Sequence, residues 1–220
     1  MYIIIGGGGD VGYYLTKSLL NQGHEVLLLE KGAARYQALF EELGQSVARG
    51  DACEARTMEE VGVSRADVVI AVTGEDDDNL VICQMAKERF KVTRTIARVN
   101  NPKNEILFQK LGIDITVSPT KAILSLIEAE LPGSTFVTLM TLKRAGLEII
   151  EVRVPTESPI VGKSLGTINL PRSGNIALII RDNEYIVPTA DTKISAKDEV
   201  YALVSNEGED ALRASLGATR

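Results

Sequence analysis

The chain has 220 residues, of which 45% are hydrophobic and 25% charged, the usual balance of a globular protein. A net charge of −6 and a pI near 5.0 argue against nucleic-acid binding, which needs a dense basic face. No apolar run approaches the ~20 residues of a membrane-spanning helix. The first residues show no export leader, and Cys53 and Cys83 lack metal-ligand or redox spacing. These features predict a cytoplasmic protein with two buried thiols.

Residues 1–118 alternate between short apolar runs and helical patterns. Strands are predicted at Tyr2–Ile5, Glu25–Glu30, Ser46–Arg49, Asp67–Val72, Thr95–Arg98 and Asp114–Val117. Helices are predicted between them at Val11–Asn21, Ala34–Leu43, Glu54–Val61, Asp76–Phe90 and Lys103–Leu111. Most of the strands are apolar on both faces, as in a parallel sheet covered by helices on each side. This half therefore predicts a Rossmann-like, doubly wound α/β domain.

The pattern changes after residue 118. A helix is predicted over Pro119–Leu131, in a linker segment of residues 119–134 where Pro132-Gly133 stops it. Further strands are predicted at Phe136–Leu142, Glu148–Val154, Asn175–Arg181, Tyr185–Pro188 and Glu199–Val204. The segment Arg181–Tyr185 has the composition of a hairpin turn. We therefore expect a small α+β, β-rich C-terminal domain over residues 135–205 and a loose tail over residues 206–220.

A glycine-rich segment joins the first predicted strand to the first predicted helix. It comprises Gly7, Gly8, Gly9, Asp10, Val11 and Gly12. The fingerprint G-x-G-x-x-G fits at Gly7, Gly9 and Gly12, where glycine allows a tight turn, close approach to phosphate and close packing of the helix. The free amides and the dipole at the start of the helix favour phosphate binding.

An acidic residue ends the second predicted strand. Glu30 lies eighteen residues after Gly12, close to the spacing of the acid that holds the ribose hydroxyls of a bound nucleotide. Its charge disfavours a 2′-phosphate and therefore NADP. NAD, ATP, ADP and AMP remain open, because all carry the same adenosine ribose.

Other candidate contacts follow later strands, where ligands of such sheets bind. They are Asp51, Ala52, Thr73, Gly74 and Arg98. Asp51 is a candidate partner of the adenine amine and Arg98 of a phosphate, although a helix cap and a surface ion pair explain them equally well. Asp76 and Asn79 belong to an acidic cluster that opens a helix, which indicates either N-capping or a nucleotide or cation contact.

The sequence shows no group suited to catalysis. Its single histidine, His24, precedes the second predicted strand and so lies at the end of that strand far from the ligand. No nucleophile–base pair and no cluster of metal ligands is visible. The glycine-rich segment therefore predicts a site that binds a nucleotide without catalysing a reaction. A soluble NAD-dependent oxidoreductase and a soluble nucleotide sensor remain alternatives.

Several motifs, in order, resemble the cytosolic regulatory subunits of bacterial Trk/Ktr potassium uptake systems, the TrkA-type RCK or KTN proteins. In the first half these are Ile4–Gly12, Gly50–Ala52, Ala66–Gly74, Asp76-x-x-Asn79, Ile96–Val99 and Ser118–Thr120. In the second half they are Val152–Pro155, Ser158–Leu165, Ile179–Arg181 and Ile186–Pro188, which resemble the RCK_C module. The resemblance covers about residues 1–205.

The resemblance implies a regulator of potassium transport rather than an enzyme. Such subunits form homodimers and higher rings beneath a membrane potassium-translocating subunit, at the inner face of the cell membrane, and nucleotide exchange biases its gating. It implies nucleotide contacts at Gly7 to Val11, Glu30, Thr73, Gly74 and Arg98, with Asp51 at the adenine.

Two positions depart from the family pattern. Asp10 stands where ATP-responsive members carry arginine, and Gly32 stands where many members carry a second acid. Both leave NAD(H) or ADP at least as plausible as ATP. Some members bind cyclic di-AMP in the C-terminal module, where Arg181 is a candidate contact.

Overall fold

The structure is a computed structural model. It describes residues 1–131, 135–142 and 145–216. The chain divides into two compact units, Met1–Thr120 and Lys121–Arg220. The predicted helix stop at Pro132-Gly133 and the last four residues of the predicted tail lie outside the described residues. Within the described ranges, we find no helix with both the length and the apolar content needed to cross a bilayer.

A parallel sheet of six strands forms the centre of the first unit. Its strands are β1 (Tyr2–Gly6), β2 (Glu25–Glu30), β3 (Val47–Arg49), β4 (Val68–Ala71), β5 (Arg94–Arg98) and β6 (Ile115–Val117). Their order is β3-β2-β1-β4-β5-β6, and every neighbouring pair is parallel. Along β1, Ile4 packs into one core cluster and Ile3 and Ile5 into the other, so both faces of the sheet are covered. The predicted Rossmann-like fold is confirmed.

Helices follow the strands of this sheet. They are α1 (Asp10–Asn21), α2 (Ala33–Leu43), α3 (Ala55–Glu60), α4 (Asp76–Gln84), α5 (Glu105–Lys110) and α6 (Pro119–Glu130). The helix predicted over Asp76–Phe90 is α-helical only to Gln84 and continues as a π-helix over Met85–Arg89. Since all six strands are parallel, the loops that follow their carboxyl ends lie along one edge of the sheet.

The second unit contains an antiparallel sheet. Its strands are β7 (Phe136–Leu142), β8 (Leu147–Arg153), β9 (Gly174–Arg181), β10 (Glu184–Ile186) and β11 (Glu199–Ser205), in the order β10-β9-β11-β8-β7. Asp182 and Asn183 join β9 to β10 with φ of 50° and 67°, the positive values that a two-residue hairpin turn requires. The predicted hairpin and the predicted β-rich character of this half are confirmed.

The predicted loose tail over residues 206–220 is wrong for the part that the structure describes. A short 3₁₀ turn leads into α7 (Glu209–Ser215). Leu212 and Leu216 are fully buried in the core that the sheet of this unit forms. The helix is therefore part of the packed unit.

Candidate nucleotide site

The loop after β1 requires glycine at two positions. Gly7 has φ of 111°, and a Cβ there would lie 2.9 Å from the backbone nitrogen of Thr73. A Cβ on Gly12 would lie 2.0 Å from the carbonyl oxygen of Gly7, so α1 packs directly on the turn. At Gly9, by contrast, a Cβ would meet no described atom within 4 Å. That open side of Gly9 is the space through which a phosphate can reach the backbone.

Glu30, the last residue of β2, is bonded to the glycine turn. Its Oε2 accepts a hydrogen bond from the amide of Gly8 at 2.9 Å, and its Oε1 accepts one from the amide of Gly32 at 2.5 Å. Each carboxylate oxygen has a second lone pair, which can accept a ribose hydroxyl. The turn and the acid are therefore held at a fixed separation, as a dinucleotide-binding site requires.

A cavity of about 350 Å³ opens along this edge of the sheet. The candidates from the sequence that line it are Gly7, Gly8, Gly9, Glu30, Asp51, Ala52, Thr73, Gly74 and Arg98. It is also lined by Leu29, Lys31, Gly50, Cys53, Val72, Glu75, Asp78 and Ile82. The structure thus brings together residues at or after the carboxyl ends of β1, β2, β3, β4 and β5.

The remaining candidates do not line the cavity. Gly12 is buried under the turn, and Val11 is 45% exposed on the first turn of α1. The Asp10 side chain is 90% exposed, and its Oδ1 lies 3.4 Å from Nη2 of Arg35. An aspartate at this point adds negative charge beside the turn and offers no donor to a phosphate.

Asp76 holds a loop. Its carboxylate accepts hydrogen bonds from the amides of Asn100 and Asn101 at 2.6 and 3.0 Å and from the side chain of Asn104 at 2.8 Å. Burial acts to raise the pKa of Asp76, but these hydrogen bonds outweigh it and lower the pKa below its ordinary value. In the structure, Asp76 supports the loop after β5.

Asn79 links two strand ends beneath the cavity. It is fully buried, its Oδ1 accepts from the amide of Thr73 at 2.8 Å, and its Nδ2 donates to the carbonyl of Arg98 at 3.0 Å. The side chain thus positions two residues that line the cavity and does not reach it. The buried side-chain amide of Asn79 thus has hydrogen-bond partners for both its oxygen and its nitrogen, and a buried polar network of this kind makes a site rigid.

Asn100 connects the cavity to the start of α6. Its side-chain amide donates to the carbonyl of Gly74 at 3.0 Å, and its own carbonyl accepts from the hydroxyl of Thr120 at 2.8 Å. Gly74 lines the cavity, whereas Thr120 lies in the first turn of α6. Asn100 therefore forms hydrogen bonds both to a residue that lines the cavity and to a residue in the first turn of α6.

Two cations line the cavity. Nε of Arg98 is buried and has no hydrogen-bond partner among the described residues. A buried donor without an acceptor is costly, and a phosphate oxygen would satisfy it. Nζ of Lys31 lies 3.0 Å from Oδ2 of Asp78.

Cys53 departs from the prediction of two buried thiols. Cys83 is buried, but Cys53 is half-buried and lines the cavity. Burial and the carboxylates of Asp78 and Asp51 raise the pKa of Cys53 to about 12, so the thiol stays protonated and is a poor nucleophile. Oδ1 of Asp51 accepts from the amide of Cys53 at 2.8 Å, which stabilises the turn before α3.

Lys31 lines the cavity although no sequence motif marked it, and Asp78 belongs to the acidic cluster for which a nucleotide or cation contact was one of the two expectations. Lys31 directly follows Glu30, and that adjacency was a usable signal. Their ion pair joins residues 47 positions apart, which no local pattern indicates. Among the described residues, no group of three or more histidine, cysteine or carboxylate side chains is placed to hold a metal ion.

Arg181, the candidate cyclic di-AMP contact of the second unit, has its guanidinium occupied. Its Nε and Nη2 each lie 2.8 Å from the carboxylate of Asp198, and Nη2 also donates to the carbonyl of Lys193. Asp198 is fully buried and accepts from the amide of Ser195. The geometry gives Arg181 a structural role in this unit.

The chain matches known families and proteins along nearly its whole length. The TrkA-N domain matches residues 3–119, and the TrkA-C domain matches residues 149–217. The chain is 34% identical over 214 residues to the Trk system potassium uptake protein TrkA of Mycobacterium tuberculosis (strain ATCC 25618 / H37Rv), with 96% of each chain covered. It is 32% identical over 207 residues to the TrkA homolog of Methanothermobacter thermautotrophicus, covering 94% of this chain and 95% of that one.

Solved structures share the fold. The GsuK channel aligns with a TM-score of 0.62 at 20% identity, covering all of this chain and 40% of the channel chain. The GsuK channel bound to NAD aligns with a TM-score of 0.52 at 19% identity, covering 99% of this chain and 39% of that one. The chain thus spans less than half of the channel's length. With both domain matches and relatives above 30% identity, the chain belongs to the TrkA family of Trk system potassium uptake proteins.

Proposed function

We propose that the chain is a cytosolic, nucleotide-binding regulatory subunit that gates a membrane potassium uptake channel or transporter. Family membership supplies the link to potassium transport. The nucleotide role rests on one observation: a single cavity is lined by the glycine turn, the Glu30 carboxylate and Arg98, whose Nε has no hydrogen-bond partner among the described residues. A glycine turn at the start of a helix suits phosphates, an acid at the end of the next strand suits ribose hydroxyls, and a guanidinium suits a phosphate oxygen.

The chemistry of the lining favours binding over catalysis. The carboxylate of Glu30 accepts from two backbone amides, that of Asp51 from the amide of Cys53, and that of Asp78 pairs with Lys31. The thiol of Cys53 is held protonated. The described lining therefore offers contacts for a nucleotide, rather than a general acid or base for hydride transfer.

The charge of the lining favours some adenine nucleotides over others. Its charged members are Glu30, Asp51, Glu75, Asp78, Lys31 and Arg98. Carboxylates outnumber cations by four to two among these lining residues. Each further phosphate charge is therefore disfavoured, and we propose NAD(H) or ADP as the ligand, with ATP binding more weakly.

Self-association is supported by uncovered apolar side chains on α5 and α6. Ile106 of α5 is 64% exposed, and Ile123, Leu126 and Ile127 of α6 are 56%, 61% and 53% exposed. Their spacing on α6 makes one apolar stripe, which favours contact with another apolar surface. We propose a homodimer or higher ring that docks on a membrane potassium-translocating subunit at the cytoplasmic face.

A nucleotide can control such an assembly only if it binds two of its states with different affinity. Coupling free energies of this kind are typically about 1–3 kcal/mol, or five- to 150-fold in affinity. The hydrogen bonds of Asn100 from Gly74 to Thr120 provide a direct contact path from the cavity to α6.

Nucleotide binding tests the proposal. Purified full-length chain is titrated calorimetrically with NAD⁺, NADH, ADP and ATP, and its solution mass is measured with and without each ligand. We expect binding that Glu30→Gln weakens and that Glu41→Gln, the same change on an exposed residue of α2, leaves unchanged. Absence of binding to all four nucleotides, or equal affinity in the two variants, would refute the nucleotide role.

Potassium uptake tests the regulatory role. Cells that depend on one potassium-translocating subunit are supplied with the wild-type chain or with Glu30→Gln, and the rate of potassium uptake is measured. We expect the two strains to differ in uptake while the two proteins accumulate to the same level. Identical uptake with and without the chain would contradict gating, and turnover of NADH by the purified chain would favour an oxidoreductase.

A further inference from the structure

Lys31 and Asp78 form an ion pair at the ribose end of the cavity. Both residues line it, and Nζ of Lys31 lies 3.0 Å from Oδ2 of Asp78. The side chains are 60% and 26% exposed, so the pair is open to solvent and can exchange partners. Lys31 directly follows Glu30, the residue whose carboxylate faces the ribose in the proposed site.

A cation beside the ribose acid has a known chemical use. In Rossmann domains the acid selects an unmodified ribose, whereas a nearby basic side chain accommodates a 2′-phosphate. Lys31 has the charge and the position to do this. In this structure, however, its ammonium is neutralised by Asp78, and Asp51 lines the same cavity.

We propose that Asp78 is a specificity-determining residue that makes the cavity reject 2′-phosphorylated adenine nucleotides. It does so by pairing with Lys31, which removes the available cation, and by adding its own charge next to the position of the 2′-phosphate. Discrimination is therefore shared between Glu30 at the end of β2 and Asp78 in the first turn of α4. The inference rests on the proposed nucleotide site.

A double-mutant cycle tests this coupling. NAD⁺ and NADP⁺ affinities are measured by calorimetry at low salt for wild type, Asp78→Asn, Lys31→Met and the double variant. We expect Asp78→Asn to improve the NADP⁺ to NAD⁺ affinity ratio by about two- to fivefold, the range that an exposed ion pair supplies. Lys31→Met should reduce that gain in the Asp78→Asn background, where only the relief of direct repulsion remains, and should have a smaller effect on the ratio in wild type.

A matched control is available one residue away. Asp77→Asn removes the same charge from the same helical turn, but Asp77 is exposed and does not line the cavity. If Asp78→Asn changes the ratio no more than Asp77→Asn, or if Lys31→Met has the same effect in both backgrounds, the inference is overturned. If wild type binds none of NAD⁺, NADH, ADP and ATP, the proposed function fails instead, so the two failures are distinguishable.

Discussion

The amide of Gly8 donates a hydrogen bond to Oε2 of Glu30 at 2.9 Å, which makes the glycine turn and the Glu30 carboxylate one bonded unit. A Cβ on Gly8 would lie 2.6 Å from that oxygen. A side chain at position 8 would therefore displace the Glu30 carboxylate from its hydrogen bond. The neighbouring Gly9 faces open space, so glycines one residue apart serve different purposes.

Gly9→Ala should separate ligand binding from stability. Without nucleotide we expect the unfolding temperature to stay within about 2 °C of wild type, since alanine for glycine at an N-cap costs under ~1 kcal/mol. Affinity for NAD⁺ should fall by about tenfold or more, because the new methyl group occupies the approach of the phosphate. Thermal unfolding and calorimetry measure the two effects.

Gly12→Ala is the contrasting variant for that experiment. Its Cβ would lie 2.0 Å from the carbonyl oxygen of Gly7, so it should destabilise the chain with or without ligand. Wild-type nucleotide affinity in Gly9→Ala would contradict the assignment of the open space to a phosphate.

Arg98→Met should weaken nucleotide binding without lowering stability. The buried Nε of Arg98 has no partner among the described residues, and an unsatisfied donor costs about 1–3 kcal/mol. Removing it should leave the unliganded unfolding temperature unchanged or higher, whereas ADP affinity falls by about tenfold. Arg94→Met is the control, because Arg94 is exposed at the opposite end of β5. A loss of unliganded stability specific to Arg98→Met would show that the guanidinium serves the fold.

Asp198→Ala should destabilise the second unit by about 3 kcal/mol or more, the cost of leaving a paired guanidinium without its buried partner. Asp198 is fully buried, and it accepts two bonds from Arg181 and one from the amide of Ser195. Urea unfolding measures the loss. Asp182→Asn, in the exposed hairpin turn where asparagine also tolerates positive φ, should stay within about 0.5 kcal/mol of wild type. Equal stability of the two variants would refute a structural role for Asp198.

Glu148→Gln should stabilise the chain at neutral pH. Burial and the nearby carboxylate of Glu209 raise the pKa of Glu148, against an opposing effect of Lys121, and Oε2 has no hydrogen-bond partner among the described residues. The folded state thus keeps this proton to a higher pH than the unfolded state. The stability that the protonated Glu148 side chain contributes is fully present below the pKa that this residue has in the unfolded chain. It is lost as the pH rises through the higher pKa that the residue has in the folded chain.

The effect of Glu148→Gln should therefore depend on pH. We expect the variant to unfold at a temperature about 2–5 °C above wild type at pH 7.5. The difference should shrink towards pH 4, where the glutamate of wild type becomes neutral like the glutamine of the variant. Glu207→Gln, an exposed change nearby, should show no such dependence. A gap that grows as the pH falls would contradict the raised pKa.

The sequence predicts the first sheet well because its strands are continuous apolar runs, such as Val68–Ala71, between turns marked by glycine. It misses α7 because only Leu212 and Leu216 mark the buried side of a short helix in a polar segment. It also extends α4 too far, since the change to a π-helix at Met85 alters hydrogen bonding without altering apolar spacing.

The site is predictable in its position but not in all its contacts. The carboxyl ends of parallel strands lie along the same edge of a sheet, so the sequence was sufficient to predict that the loops after β1, β2 and β5 lie along one edge. Which side chains enter the cavity depends on helix rotation and loop packing. Asp76 and Asn79 therefore turn out to hold loops, while Asp78 of the same helix lines the cavity. That the lining residues bind nucleotide stays a prediction.

The hydrogen bonds of Asn100 make the start of α6 a place, outside the cavity, where filling of the cavity can be detected. Its hydrogen bonds to Gly74 and from Thr120 mean that the cavity edge and the first turn of α6 cannot shift independently without breaking one of them. Amide hydrogen exchange at the start of α6 should therefore slow when the cavity fills, although none of the described lining residues belongs to α6. Exchange rates in this helix would thus report the proposed nucleotide binding from outside the cavity.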